Sequence, residues 1–297
     1  MRNLILYNPY SGRGLFEKKL FILKEKLENR GEVVDVYYTE GEKSLISKSF
    51  CDGMIYDRFI VIGGDGTLNE VINGLMRLDN KPAVLYIPNG TVNDVGHALG
   101  LSKNINKILK LLDSEPVLKD IGKINNRFFS YVTAAGKFTG VSYGTKHKKA
   151  KKIFGKIYYF SRFFKDLMKL HRYKFKLNGE EVCDAYAFFL LNNPRIASLW
   201  IYKKTPVKLN DGLMDLYIFK QHTHFSYLNL IYFLLFGDEG KRHLIECRDS
   251  HFEIELDKEV TLNIDGEGSI TDNKFKIEVI KQAIPFYVSE KARRKYF

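Results

Sequence analysis

Residues 59–75 read FIVIGGDGTLNEVINGL. Two glycines stop an apolar run, a carboxylate follows at Asp65, and Gly66 and Thr67 precede an apolar pattern of helical period. Glycine amides approach an anion closely because no Cβ stands in the way. A helix beginning near Thr67 would turn free N–H groups and the positive end of its dipole toward the same anion. A carboxylate held there is placed for a metal ion or a reacting hydroxyl. The same letters also fit a plain strand-to-helix turn in which Asp65 caps the helix. From this stretch alone both readings stand.

Two further stretches have the same grammar. NPYSGRG (8–14) ends the first apolar run, and PNGTVND (88–94) ends the fourth. If the strands are parallel, all three turns lie along one sheet edge, beyond the carboxyl ends of the strands, where open α/β sheets bind ligands. Coincidence explains one such turn more easily than three. Near the C-terminus, NIDGEGS sets Asp265 and Glu267 two residues apart, on one face if the chain is extended. Gly266 and Gly268 favour a bend, and an acidic hairpin tip is the plainer reading of that stretch by itself. KLNDGLMDLYIF (208–219) holds an Asn-Asp-Gly turn ahead of a strand.

The elements that would position these residues change character along the chain. RNLILYNP, EVVDVYYT, DRFIVIGG and AVLYIPNG read as strands. Between and after them GLFEKKLFILKEKLENRG, SLISKSFCDG, TLNEVINGLMRL and VNDVGHALG read as helices; Leu15, Phe16, Leu20, Leu23 and Leu27 of the first fall at helical spacing. This alternation implies parallel strands with helical crossovers. From about 120–125 onward the pattern becomes strand after strand. KDIGKINNRFFSYVTAAG is a hairpin turning at Asn125-Asn126, and YKFKLNGEEV, AYAFFLLNN, GLMDLYIFK, HFEIELD, VTLNIDGEG and FKIEVIKQ follow a helical stretch at about 150–171. The expected fold is therefore an α/β N-terminal domain with an open, mainly parallel sheet, plus a β-rich, mostly antiparallel C-terminal domain.

Composition narrows the function classes. The 297 residues are 45% hydrophobic and 28% charged, which suits a folded globular protein with a sizeable core. Cys51, Cys183 and Cys247 stand far apart, with none of the spacings of a disulfide framework or a zinc site. The apolar stretch at the N-terminus is short for a secretory signal. YLNLIYFLLFG (227–237), the most apolar segment, is short of the roughly 18 residues a membrane-spanning helix needs. A net charge of +12 favours anionic partners: nucleic acid, anionic phospholipid or phosphorylated small molecules. No C2H2 spacing and no RNP1-like aromatic signature is present, so nucleic acid is not an expected partner. His97 and His147 have no recognisable partners and read as structural or surface residues.

Together, NPYSG, GGDGTLNEVINGL, PNGTVND and IDGEG resemble the diacylglycerol kinase catalytic-domain family, most of all its bacterial diacylglycerol/lipid kinases without membrane spans. The likeness runs over essentially the whole chain. It implies ATP bound in a cleft between the two domains: 1–122, with about 280–297 returning to it, as the ATP-binding domain, and 123–279 as the lipid-substrate domain. It assigns the nucleotide to Asn8, Pro9, Tyr10, Ser11 and Gly12, to Gly64, Asp65, Gly66, Thr67, Leu68, Asn69 and Glu70, and to Thr39 and Thr91. It makes Glu267 the general base that takes the proton of the lipid hydroxyl, with Asp65 holding Mg²⁺ or its water, although these two roles could be exchanged. It also implies a structural Mg²⁺ held by Asp211 with the backbone carbonyls of Lys208 and Leu213. Phosphoryl transfer fits such a set, because it asks a protein for positioning, charge neutralisation and a base. The chain departs from the family just upstream of that turn, where relatives often carry a glycine pair and this sequence has RIASLWIYKKTP.

KHKKAKKIFGKIYYFSRFFKDLMKL (146–170) is a basic stretch with Ile153, Ile157, Phe160, Phe164 and Leu167 on one helical face. It suits an anionic membrane surface, and equally a helix packed on a core with its lysines in water. The resemblance favours the membrane, since the substrate would reside there. The expected partners are a membrane lipid and the inner membrane face, approached peripherally from the cytoplasm; a homodimer is compatible with the reading. Competing functions are a kinase for another lipid alcohol (phosphatidylglycerol- or sphingoid-like), an NAD kinase with a GGDGT-type loop, and an inactive nucleotide- or membrane-binding module.

Overall fold

The computed structural model describes residues 1–12, 16–41, 43–135, 172–203, 207–221, 226–240, 244–266 and 268–297. The chain divides into two compact units, one of Met1–Ile121, Val207–Gly212 and Ile280–Phe297, the other of Gly122–Pro206 and Leu213–Val279. The stretches 146–170 and 150–171, His147, and Arg13 and Gly14 of the first turn lie outside the described residues.

The first unit starts with β1 (Arg2–Tyr7), α1 (Glu17–Glu28), β2 (Val33–Tyr38), α2 (Ser44–Asp52), β3 (Arg58–Gly63), α3 (Asp65–Leu75), β4 (Ala83–Pro88), α4 (Asp94–Ala98) and α5 (Ile105–Leu112). The four strands pair in the order β4-β3-β1-β2, each pair parallel. β3 is buried along its whole length, as its apolar run from Phe59 should be in a parallel sheet, and the buried Arg58 at its start pairs with Glu32 at 3.1 Å. Leu20, Leu23 and Leu27 of α1 pack with Ile5, Ile60, Ile62 and Leu85 of the strands. Helix α5 was not anticipated; Asn104 caps it, its side chain accepting from the Lys107 N–H at 3.2 Å.

Strand β5 (Val117–Ile124) leads into the second unit. There follow β6 (Arg127–Phe129), β7 (Val132–Ala135), β8 (Tyr173–Leu177), β9 (Glu180–Leu191), β10 (Arg195–Ile196), β11 (Leu199–Trp200), β12 (Met214–Lys220), α6 (Tyr227–Phe236), β13 (Leu244–Asp249), β14 (His251–Ile264) and β15 (Gly268–Phe286). Neighbours run antiparallel in the order β13-β12-β9-β7-β14-β15, and β8 pairs with both β9 and β14. The Asn125-Asn126 hairpin forms between β5 and β6, with Asn125 at φ 49°. HFEIELD and VTLNI, which read as separate strands, are one strand, β14; a register shift between Glu255 and Val260 absorbs the polar DKE interruption. Phe175, Phe188, Leu190, Leu216, Ile254 and Leu262 build the core, with the rings of Phe175 and Phe188 edge to face at 5.3 Å.

β10 and β11 form a two-residue hairpin through Ala197 (φ 50°) and Ser198 (φ 74°). Positive φ at both central positions is the geometry of a type I′ hairpin turn, which glycine and asparagine adopt most readily. Holding an L-residue there costs roughly 1 kcal/mol, only part of which glycine returns to the unfolded chain as entropy. Ser198→Gly is therefore expected to raise stability by about 0.5 kcal/mol, read as a higher urea midpoint with an unchanged slope. A lower midpoint would show that the serine side chain contributes more than the strain.

Two later segments cluster with the first unit. At the end of β15, Phe286 pairs with Val84 in parallel register, and the Tyr287 N–H donates to the Val84 carbonyl at 3.0 Å. The chain then closes with α7 (Glu290–Tyr296), capped by the Ser289 hydroxyl. Val207–Gly212, inside the stretch expected to belong to the β-rich domain, is held here by hydrogen bonds. Leu209 donates to the Tyr296 carbonyl at 2.9 Å and accepts from the Asp120 N–H at 2.8 Å. The Asp120 carboxylate takes the N–H groups of Gly212 (2.7 Å) and Gln282 (2.6 Å).

Candidate active site

The three glycine-rich turns of the first unit meet. Asn8, at the end of β1, donates its backbone N–H to the Ile62 carbonyl and its side-chain amide to the Thr67 hydroxyl, both at 2.9 Å. Asn89, after β4, donates its backbone N–H to the Gly63 carbonyl at 2.6 Å and its amide to the Ser11 carbonyl at 3.3 Å. Parallel pairing in register sets the three strand ends side by side, so these contacts follow from the topology.

Glycine is required where the turns touch. A Cβ on Gly12, which holds φ 67°, would lie 2.3 Å from the Asn89 carbonyl oxygen, and one on Gly90 would lie 2.6 Å from Gly64 Cα. Alanine at 90 must push the two turns apart or displace the Asn93 side chain, whose oxygen lies 2.9 Å from the same point. Gly90→Ala is expected to lower the melting temperature, because the nearest atom is backbone, and to raise the KM for nucleotide by about tenfold, a change of roughly 1.4 kcal/mol. An unchanged KM would exclude these turns from the nucleotide site.

Asp65 is almost fully buried. Its two oxygens accept the N–H groups of Asp94 (3.0 Å) and Val95 (3.3 Å) at the start of α4. The Tyr86 hydroxyl stands 3.5 Å from the same carboxylate and 3.3 Å from Asn93 Oδ1. The carboxylate therefore ties the GGDGT turn to the PNGTVND turn.

The other expected nucleotide residues divide. Ser11 donates its hydroxyl to the Asn8 carbonyl at 2.8 Å, while Pro9 is half-buried and Tyr10 exposed. Thr39 is buried just past β2, its N–H on the Tyr7 carbonyl. Thr91 is exposed on the third turn. Gly64, Gly66 and Thr67 open α3 at the junction, whereas Leu68 points into the core. Asn69 accepts from Asn73 one turn on. The Glu70 carboxylate accepts from the N–H groups of Lys43 (3.0 Å) and Leu45 (3.4 Å), at the start of α2.

Sequence reasoning missed Asn89, Tyr86, Asn93 and Lys103 as site-building residues. The Lys103 ammonium reaches Asn89 Oδ1 at 3.3 Å, and burial, helped by the charge of Lys19, pulls its pKa down. Lys103 stands 14 positions from Asn89, in a loop with no motif. No spacing could have revealed it.

Asp211, Lys208 and Leu213 lie on the loop ahead of β12. Burial raises the pKa of the neighbouring Asp120, the charge of Asp211 adds to the rise, and the N–H groups of Gln282 and Gly212 and the fully buried Lys119 oppose it. Among the described residues, no three His, Cys, Asp or Glu side chains form a group that could hold a metal ion.

Glu267 lies outside the described residues. Its neighbour Asp265 is described in detail. Asp265 (φ 49°) and Gly266 (φ 77°) turn the chain out of β14, and Ile264 pairs with Gly268 across the tip. The hairpin alternative for this stretch is thus the one adopted, but its aspartate faces inward. The Asp265 carboxylate accepts the Ser130 N–H (2.6 Å) and hydroxyl (2.8 Å) and the N–H groups of Tyr131 (3.0 Å) and Val132 (3.1 Å).

The comparisons agree with this frame. The model of the diacylglycerol kinase catalytic domain matches residues 2–124. A diacylglycerol kinase of Staphylococcus epidermidis is 34% identical over 286 residues, 93% of this chain and 90% of the relative. One of Bacillus subtilis is 30% identical over 277 residues, covering 90% and 89%. A solved diacylglycerol kinase structure from Bacillus anthracis superposes with a TM-score of 0.71 at 22% identity, over 98% of this chain and 97% of that one, which speaks for the fold. On identity of this depth along nearly its entire length, the chain belongs to the diacylglycerol kinase family.

Proposed function

We propose that this protein transfers the γ-phosphate of ATP to the free hydroxyl of diacylglycerol, forming phosphatidic acid. Family membership makes it a lipid kinase, a phosphotransferase with an alcohol acceptor. The observation that carries the reading is the convergence of three glycine-bearing turns at the carboxyl ends of β1, β3 and β4, locked by Asn8, Asn89 and Asp65. Such a junction offers backbone N–H groups and hydroxyls to a polyphosphate.

In this reading Asn8 to Gly12, Gly64 to Thr67 and Thr91 contact the nucleotide, with Thr39 at the edge, and Leu68, Asn69 and Glu70 support the helix behind them. Lys103 adds positive charge. Glu267 is the base that accepts the proton of the lipid hydroxyl, and Asp65 keeps the turns in register and would hold Mg²⁺ or its water. Mg²⁺ would bind Asp211 and the carbonyls of Lys208 and Leu213. The donor chemistry fits, because hard oxygen ligands suit Mg²⁺ and a cation there would relieve the repulsion between Asp211 and Asp120. When bound, the ion supplies neutralising charge.

Purified protein, ATP, Mg²⁺ and a panel of lipid alcohols test the assignment. Diacylglycerol is expected to be the best acceptor. Equal or greater turnover with phosphatidylglycerol or a sphingoid base would transfer the assignment to that lipid, and phosphorylation of NAD would replace it.

A further inference from the structure

Helix α6 reads YLNLIYFLLF and carries no charged side chain. Its inner face is settled: the Phe233 ring packs on Tyr217 at 4.9 Å and Phe219 at 5.4 Å, and Leu230 and Leu234 are buried. The outer face is no more polar than the inner one. Leu228 and Leu235 are each 50% exposed and Phe236 42%. Tyr232 falls on the same side, its ring 4.4 Å from that of Phe236. A helix apolar all round belongs in an interior, whereas a surface helix turns charges outward.

The chain around residue 200 joins this surface. Asp238 donates its N–H to the Ile201 carbonyl at 2.8 Å, and its carboxylate accepts the Lys203 N–H at 2.9 Å. Trp200, the single tryptophan of the chain, is 40% exposed. Two cations attend the aromatic rings: the Arg195 guanidinium lies 5.0 Å over Trp200, and the Lys203 ammonium 5.9 Å over Phe236.

We propose that the outer face of α6, with Trp200, is a membrane-docking surface, and that its partner is the anionic phospholipid bilayer. The inference rests on the reading that the acceptor is a membrane lipid, and it deepens that reading by naming where the enzyme meets its substrate phase. Tryptophan and tyrosine favour the headgroup level of a bilayer, where leucine and phenylalanine beside them reach the acyl boundary. Ten helical residues span roughly 15 Å, too little to cross a bilayer, so the helix lies along the interface. Lys203, which is exposed, sets positive charge beside the Phe236 ring, complementary to anionic headgroups, on a chain of net charge +12, while the buried Arg195 guanidinium backs the Trp200 ring. Two acids, Asp238 and Glu239, follow α6 in the sequence, and Asp238 accepts the Lys203 N–H.

The single tryptophan is its own reporter. The full chain, mixed with phosphatidylcholine vesicles containing phosphatidylglycerol, is expected to show blue-shifted Trp200 emission and quenching by lipids brominated on the acyl chains. The double variant Leu235→Glu/Phe236→Glu is expected to partition onto these vesicles about tenfold or more less strongly. Its melting temperature and its turnover on a short-chain diacylglycerol dispersed as monomers are expected to match the wild type. Sedimentation with vesicles without any change in tryptophan emission would overturn the proposal, as would wild-type partitioning of the double variant. Lipid-free self-association that the double variant abolishes would overturn it in favour of a second copy of the chain. Insertion of Trp200 without kinase activity on any lipid would support the docking surface and sink the catalytic reading alone.

Discussion

Glu267→Gln is expected to lower turnover by about 10²–10⁴-fold, the usual range for loss of a general base. Nucleotide affinity should stay within about twofold, because the three glycine-bearing turns proposed to hold the nucleotide are built from residues 8–12, 63–67 and 89–94 and do not include position 267. Glutamine keeps the size and hydrogen-bonding reach of glutamate but cannot take up a proton. A hydroxyl attacking the γ-phosphate must release its proton as the bond forms, and phosphoryl transfer offers the protein few other tasks beyond positioning and charge. The measurement is steady-state kinetics with diacylglycerol, beside ATP titration and thermal melting. Turnover above a tenth of wild type would remove Glu267 from the role. A matching fall in melting temperature would assign it a structural one.

Asp265→Ala should act on stability. The wild-type carboxylate is 1% exposed and satisfies three consecutive backbone N–H groups and one hydroxyl. Each buried donor left without an acceptor costs about 1–3 kcal/mol. The Ser130 hydroxyl can turn elsewhere and a water can enter the space, so the net loss is expected near 4 kcal/mol, or on the order of 10 °C in melting temperature for a chain of this size. Asp265→Asn should fall between: its amide keeps one acceptor oxygen but turns a donor toward donors. Thermal melts of both variants decide the matter. Wild-type melting of Asp265→Ala would mean that the β6–β7 turn holds without its carboxylate. The pair also separates the two acids of IDGEG, since Asp265 variants lose stability and Glu267→Gln loses rate.

Much of the fold was legible before any coordinates. The apolar runs ending at Tyr7, Gly63 and Pro88, and the helical periods after them, are local signals, because strand and helix are set by the spacing of side chains along a few turns of chain. The Asn125-Asn126 turn carries its own chemistry between paired strands, whereas YKFKLNGEEV, read as one strand run, is broken at Asn178-Gly179 into the paired strands β8 and β9. Less visible were elements whose identity depends on packing. β14 carries a polar interruption that reads as a boundary, yet pairing with β15 on both sides makes it one strand. Val207–Gly212 follows strand-rich sequence, yet Asp120 and Tyr296 hold it in the first unit.

The amino-acid order by itself marked three glycine-bearing turns as candidates for a phosphate site, and parallel pairing of their strands in one sheet then sets the three along one edge. Which partner each side chain takes was decided only by the tertiary structure. Asp65 binds α4, 29 residues on; Asp265 could have stood at a solvent-exposed tip but binds donors 133 to 135 residues away; Lys103 reaches Asn89 from a loop without a motif. The physical reason is range. Backbone geometry follows from near neighbours, whereas a carboxylate or ammonium settles on whichever donors or acceptors the finished packing brings within about 3 Å.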